Sequence, residues 1–289
     1  MQWYPGHIAR AEKLLREQLR AVDAVVEVRD IRIPLATTHP DIPDWIGNKL
    51  RVLVLNRADM VSDAERSRWV AWFKRSGERH VVLTDARSGK GVKRVAEVAL
   101  MVSAEVNDKR RAKGLMPRPV RTAIVGYPNV GKSALINRLV RQKVVDSARR
   151  AGVTRSLRWV RLGQDLDLLD APGVLPPRLD DQLAALRLAL CDDIGQAAYD
   201  GEAAAMAFVH MLAALEAVDS SGVQPGLLER RYGIPVETLP GEGAPKPDVH
   251  GWLTGAAERH TSGDTVRMAQ RFLDDFRRGM LGPIALELP

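Results

Sequence analysis

The stretch GYPNVGKS, Gly126 to Ser133, has the form G-x-x-x-x-G-K-[ST]. An apolar run, RTAIVG, leads into it and KSALINRLV leads out. A loop of this kind is expected to join a strand to a helix N-terminus, where backbone N–H groups and the helix dipole favour a polyphosphate. Lys132 is placed to meet the β- and γ-phosphates, the Ser133 hydroxyl to hold Mg²⁺, and Asn129, Val130, Gly131 and Ala134 to line the nucleotide. Farther on, LDLLDAPG ends an apolar run in Asp170 and then Gly173. An acid there can hold Mg²⁺ through water, and a glycine N–H can meet the γ-phosphate. Thr154, in RRAGVTR between the two, would complete the Mg²⁺ shell.

A second motif lies upstream. VLVLNRADMVS, Val52 to Ser62, ends a Val/Leu run in Asn56-Arg57-Ala58-Asp59. A carboxylate at Asp59 would accept from N1–H and the N2 amino group of guanine, which adenine cannot offer. Asn56 would brace the phosphate loop and contact the purine, and the backbone of Asp85–Ala86 in TDARSGKG would touch the base. A base-reading loop normally follows the phosphate loop in the chain; here it comes first. Either one motif is accidental, or the domain has been cut open and rejoined. Sheets of βα units tolerate such a cut, and the charged, proline-bearing piece Asp108–Arg121 would be the joining segment. Both motifs are therefore read as real, in a circularly permuted domain.

The elements that must hold these loops follow from periodicity. Strands are expected at AVVEVRD, RVLVLN, HVVLTD, RTAIVG, LRWVRL and LDLLD, and helices at about Ala9–Arg20, Asp63–Ser76, Lys90–Val102 and Lys132–Arg141. Alternating strands and helices argue for a parallel sheet covered on both faces. After Pro177 the sequence turns Ala/Leu-rich, with helices expected at Asp180–Leu190, Gly201–Val218 and Gly263–Arg278 and no strand. The expected fold is α/β: a phosphate-loop domain with an N-terminal arm, residues 1–178, followed by a small all-α domain, residues 179–289.

Composition sets limits. With 289 residues, 45% hydrophobic and 27% charged, the chain reads as two ordinary globular domains. One cysteine, Cys191, excludes an intrachain disulfide framework. No apolar run approaches the ~18 residues of a membrane span, and MQWYPGHIAR lacks a signal peptide's apolar core, so a cytoplasmic, monomeric protein is expected. The net charge of +7 is unevenly spread. Residues 1–178 carry 34 Lys and Arg against 19 Asp and Glu; the remainder carries 9 against 17; residues 101–161 alone carry 15 against 3. Such a basic stretch suits a polyanion, though it also suits a solvated surface. The basic face of the last helix (Arg267, Arg271, Arg277, Arg278) leaves the same two readings open. The remaining histidines show no metal spacing.

With these motifs in hand, the chain resembles the circularly permuted ribosome-assembly GTPases of the YlqF/RbgA family. WYPGHIARA resembles that family's W-[FY]-P-G-H-M-x-K-A signature, and DAVVEVRDIRIPLATTHPDI its D-x-V-x-E-x-x-D-A-R-x-P segment. DQLAALRLAL resembles the start of its helical domain, and RRYG, Arg230–Gly233, stands where it has E-R-Y-G. Arg57 replaces the usual Lys beside the base, Arg10 the signature Lys, and Ala151 the usual Pro before Gly152. The resemblance implies a GTP hydrolase that binds the precursor of the large ribosomal subunit, promotes a late maturation step and leaves after hydrolysis.

What drives hydrolysis is not fixed by the motifs. Ras-like enzymes place a water-orienting Gln after the D-x-x-G glycine; here Val174 holds that position. Two groups are candidates: His7 in PGH, if the N-terminal arm folds back, which the family resemblance favours, and a potassium ion held partly by Asn129, acting as a fixed positive charge. A small-molecule kinase would share the phosphate loop but has no use for a guanine-reading motif. A GTP-holding RNA scaffold with little turnover is the remaining alternative.

Overall fold

The computed structural model describes residues 5–143, 158–176, 181–195, 198–218, 221–239 and 246–289. The chain divides into two compact units, one of Trp3–Ala58 and Arg66–Arg178, the other of Asp59–Glu65 and Leu179–Leu288.

The first unit is built on a six-stranded sheet. Helix α1 (Pro5–Ala21) precedes β1 (Ala24–Asp30); α2 (Ile42–Ile46) leads to β2 (Leu50–Asn56); and α3 (Asp63–Arg75) leads to β3 (Val81–Leu83). α4 (Val92–Ala112) then connects to β4 (Val120–Val125), which runs through the phosphate loop into α5 (Lys132–Lys143). β5 (Arg158–Leu162) and β6 (Leu166–Asp170) complete the set. The strands lie in the order β3-β2-β1-β4-β6-β5.

All six sequence-predicted strands form, and four of the five pairings are parallel. The exception corrects the expectation of a parallel sheet. β5 pairs antiparallel with β6, because three residues, turning at Gly163 (φ 69°), separate them, and parallel neighbours need a crossover of a dozen or more. β1, the central strand, is buried along its whole length, as strands covered on both faces are. Its acid Glu27 is neutralised in place by Arg29 (2.6 Å) and Arg51 (3.0 Å).

The joining segment also needs correcting. Asp108–Ala112 is the last turn of α4, whose helically spaced apolar residues Val95, Val98 and Val102 keep it packed beyond the expected end. Only the stretch from Lys113 to Pro119 is irregular. It delivers the chain to β4 beside β1, where Arg118 pairs with Asp23 at 2.9 Å.

The second unit is helical, with α6 (Gln182–Leu190), α7 (Gly201–Glu216), α8 (Leu227–Tyr232), α9 (Val249–Thr261) and α10 (Thr265–Arg277). The side chains of Asp181, Asp200, Asp248 and Asp264 accept first-turn N–H groups of α6, α7, α9 and α10, each worth about 1 kcal/mol. Phe208 stacks on Phe272 (4.9 Å), which also meets Trp252 (4.9 Å). A two-residue hairpin, β7 (Thr238–Leu239) with β8 (Lys246–Pro247), departs from the all-α expectation. Arg277 also departs from its expected place on a basic face. It turns inward to Ala189 O (2.9 Å), Leu190 O (3.1 Å) and Tyr199 Oη (2.5 Å). Asp59–Glu65 belongs here too: Met60 O accepts from Ile284 N at 2.9 Å. Ser62 and Glu65 cap one another at the start of α3, Oε2 accepting from Ser62 N (2.9 Å) and Oγ from Glu65 N (3.2 Å).

Leu15 and Leu19 fasten α1 to the first unit, in one apolar cluster with Val25, Ala123, Val125, Leu169 and Val174. Leu19→Ala should lower stability by about 3 kcal/mol, read as a fall in the urea midpoint. Arg20→Ala, at an exposed position of the same helix, should leave it within error. Equal midpoints would mean that α1 is not anchored there.

Candidate functional site

Because β1, β2 and β4 are parallel, the loops leaving their C-terminal ends gather at one edge of the sheet. Asn56 ends β2 and is buried. Its Nδ2 donates to Val130 O (2.8 Å) in the phosphate loop, and its Oδ1 accepts from Thr84 Oγ1 and Ala86 N (3.0 Å each) after β3. Gly131 (φ 104°) has to be glycine, since a Cβ there would lie 2.2 Å from Asn56 Nδ2. The two motifs that stand in inverted order in the sequence are thus in hydrogen-bond contact.

Arg57 takes a left-handed backbone (φ 61°), as does Asn129 (φ 57°). The guanidinium of Arg57 donates to Asn129 O at 2.8 Å and pairs with Asp30 at 3.3 Å. Sequence reasoning saw in Arg57 only a replacement for the usual Lys beside the base, and it passed over Asp30. That fully buried carboxylate is held by the equally buried Arg32, with Nη2 to Oδ2 at 2.7 Å. Burial pushes the Asp30 pKa upward, but Arg32 and Arg57 outweigh it and hold the carboxyl below the usual range. The signal was there in RDIR: an acid and a base two apart at the end of a strand otherwise apolar enough to be buried.

Asp59 follows in a 3-10 turn, Ala58–Met60. It is exposed and makes no ion pair among the described residues, so its carboxylate can accept from a base. Asp85 shapes its own loop. Its carboxylate accepts from Arg87 N (2.9 Å) and Ser88 N (3.1 Å). Burial raises its pKa, but these bonds and the nearby Arg87 outweigh that and lower it overall. The Ala86 N–H is already engaged by Asn56, so this residue braces the loop that would lie against the base.

In the phosphate loop, Lys132 is 7% exposed and its Nζ donates to Tyr127 O (2.5 Å) and Gly126 O (3.1 Å). Ser133 and Ala134 stand exposed in the first turn of α5. Tyr127 Oη donates to Thr38 O (3.2 Å), tying the loop to the segment after β1. Asp170 ends β6, and Gly173 packs so closely that a Cβ would lie 2.6 Å from Pro128 N and 2.9 Å from Lys132 Nζ. Val174 is buried in the cluster that holds α1, away from any position where it could orient a water. Thr154 lies outside the described residues. His7 falls in the first turn of α1, with its side chain outside the described part. Among the described residues no group of three His, Cys, Asp or Glu is placed to hold a metal by itself.

The family model described as a 50S ribosome-binding GTPase matches residues 121–220, from the phosphate-loop strand onward; the base-reading loop lies upstream of that span, as a permuted order requires. Ribosome biogenesis GTPase A of Bacillus cereus is 35% identical over 289 residues, covering 100% of this chain and 94% of that protein. The chain belongs to the ribosome biogenesis GTPase A family. It is a GTP hydrolase. The mitochondrial ribosome-associated GTPase 1 of Xenopus tropicalis is 34% identical over 200 residues, covering 66% of this chain and 63% of that protein. The crystal structure of GNP-bound YlqF from T. maritima shares the fold with a TM-score of 0.63 at 24% identity, over 97% of this chain and 98% of that one.

For this GTPase, Gly131→Ala should raise the dissociation constant for a fluorescent GDP analogue by at least 100-fold, because the new methyl must displace Asn56. Gly77→Ala, also at positive φ (96°) but with open space around it, should change GDP affinity less than threefold. Unchanged binding by Gly131→Ala would mean that the two loops do not depend on each other.

Proposed function

We propose that this GTPase binds the precursor of the large ribosomal subunit, promotes a late step of its maturation and leaves after hydrolysis. The observation that carries the reading is the Asn56–Val130 contact. It joins the two motifs of the proposed guanine site, which stand in permuted order, in a chain similar along its whole length to ribosome biogenesis GTPase A. Residues 1–178 are read as the nucleotide domain and 179–289 as the helical domain. The compartment is the cytoplasm and the working form a monomer. No helix among the described residues is long and apolar enough to cross a membrane.

The donor set fits Mg²⁺ in its usual role, since that ion takes one or two protein oxygens and fills its shell with phosphates and water. Ser133 would hold it directly, Asp170 through water, and Thr154 would complete the set. Bound there, Mg²⁺ neutralises charge on the phosphate oxygens. Lys132 supplies a second positive charge where the γ-phosphate develops it, and the Gly173 N–H a donor.

The water-orienting group is the open element, and topology favours His7. α1 has 17 residues, ~25 Å at ~1.5 Å each, and β1 has 7, ~23 Å at ~3.3 Å each. Only Val22 and Asp23 separate them, so α1 runs back along the sheet. Its N-terminal turn is thereby directed toward the edge where β1 ends and the phosphate loop begins. A potassium ion held partly by the exposed Asn129 is the second candidate.

The test is GTP turnover in K⁺ and in Na⁺ buffer, with and without large ribosomal subunits. The expected result is at least tenfold stimulation by subunits, lost in Lys132→Ala and strongly reduced in His7→Ala with GDP binding intact. GTP binding without stimulation in either salt would contradict the proposal and leave a scaffold that merely holds nucleotide.

A further inference from the structure

A cleft of about 540 Å³ lies at the edge of the sheet opposite the nucleotide loops. Its lining includes Val22, Asp23 and Leu50, at the N-terminal ends of β1 and β2. Ligands of open α/β sheets bind beyond the carboxyl ends of the strands, so this cleft is separate from the GTP site.

Its charge comes from three elements. Lys49 stands before β2, Lys109 and Arg110 in the last turn of α4, and Lys113 just beyond it. Lys109 is partnered by Glu105 (3.0 Å). Arg110 gives its guanidinium to a neutral acceptor, Met116 O (3.1 and 3.2 Å), and so keeps its field. Lys49 and Lys113 make no ion pair among the described residues. Of the two acids in the lining, Asp23 is neutralised by Arg118, which leaves Asp44. Basic residues at a helix C-terminus ordinarily answer the helix dipole. That accounts for Lys109 and Arg110; it does not account for Lys49, from another element, converging on the same space. Apolar surface is interleaved with the charge: Trp45, half-buried, and Leu115, 49% exposed, line the cleft.

We propose that this cleft is a single-stranded RNA contact site, in which Lys49, Arg110 and Lys113 take phosphodiester oxygens and an unstacked base lies on Trp45 beside Leu115. A positively charged groove with an aromatic ring on which a base can stack is how unpaired strands are held. With Lys49, Lys109, Arg110 and Lys113 in its lining against the single unneutralised acid Asp44, the cleft favours a polyanion over an acidic peptide segment. The inference rests on the ribosome-directed reading only in taking the RNA to be ribosomal.

The test is anisotropy of a short labelled single-stranded oligoribonucleotide, titrated with the full chain between about 50 and 200 mM KCl. It compares wild type, Lys49→Glu with Lys113→Glu, and a control pair on α3, Lys74→Glu with Arg75→Glu. The cleft variant should bind about tenfold more weakly, and its log K against log salt should flatten by ~1.4, at ~0.7 for each phosphate left without its lysine. The control should change less than twofold. Labelled GDP, measured in the same samples, should bind all three alike, which separates this proposal from the GTPase reading. Equal RNA affinity and slope in the cleft and control variants would overturn it. So would RNA binding too weak to measure in wild type, or impaired subunit association with RNA affinity intact, which would make the occupant a protein.

Discussion

One buried amide ties the phosphate loop to the loops that follow β2 and β3. Asn56 stands 74 residues before Val130 in the chain, yet donates to its carbonyl at 2.8 Å while accepting from Thr84 and Ala86. A buried donor or acceptor left unmatched costs ~1–3 kcal/mol, so three loops are obliged to keep one another's position. This is why the order of the motifs along the chain is immaterial. The sheet brings the loops to one edge, and the amide, not the covalent path, fixes their spacing.

The Asp30–Arg32–Arg57 group extends the same constraint. Arg32 neutralises Asp30 inside the protein, and Asp30 then aims Arg57 at the carbonyl of Asn129. The planar guanidinium can make both contacts at once, which a lysine ammonium on a flexible stem does less well. The arginine that departs from the family pattern is thus accommodated by a charge already present at the end of β1. On the opposite side of the loop, Gly173 packs against Pro128 and Lys132 and Val174 is sealed under α1.

Much of this was legible in the sequence. The strands announced themselves as mostly apolar runs because a sheet covered on both faces buries most of its inner strands, β1 along its whole length. The phosphate loop and the base loop were legible because their chemistry tolerates few alternatives. The short helix Ile42–Ile46 was not, since five residues give no periodicity. α9 was missed because Gly251 and Gly255 interrupt an otherwise helical pattern; Asp248 caps its start and Trp252 holds it in the core. Arg277 looked like surface by spacing, and only tertiary carbonyls at Ala189 and Leu190 draw it inward. The Asp30 group was obscured because an ion pair inside a strand reads as noise until its third partner is placed by the fold.

The central claim is that a base-reading loop encoded before the phosphate loop forms a single guanine site with it. The most direct measurement is nucleotide specificity of Asp59→Asn, comparing GDP with xanthosine diphosphate, whose C2 carbonyl would accept from the new amide. The account predicts a loss of GDP affinity of about three orders of magnitude, two charge-assisted hydrogen bonds at ~2 kcal/mol each, with xanthosine diphosphate becoming the tighter ligand. Unchanged GDP affinity would contradict it, and would mean that the exposed carboxylate at Asp59 reads no base.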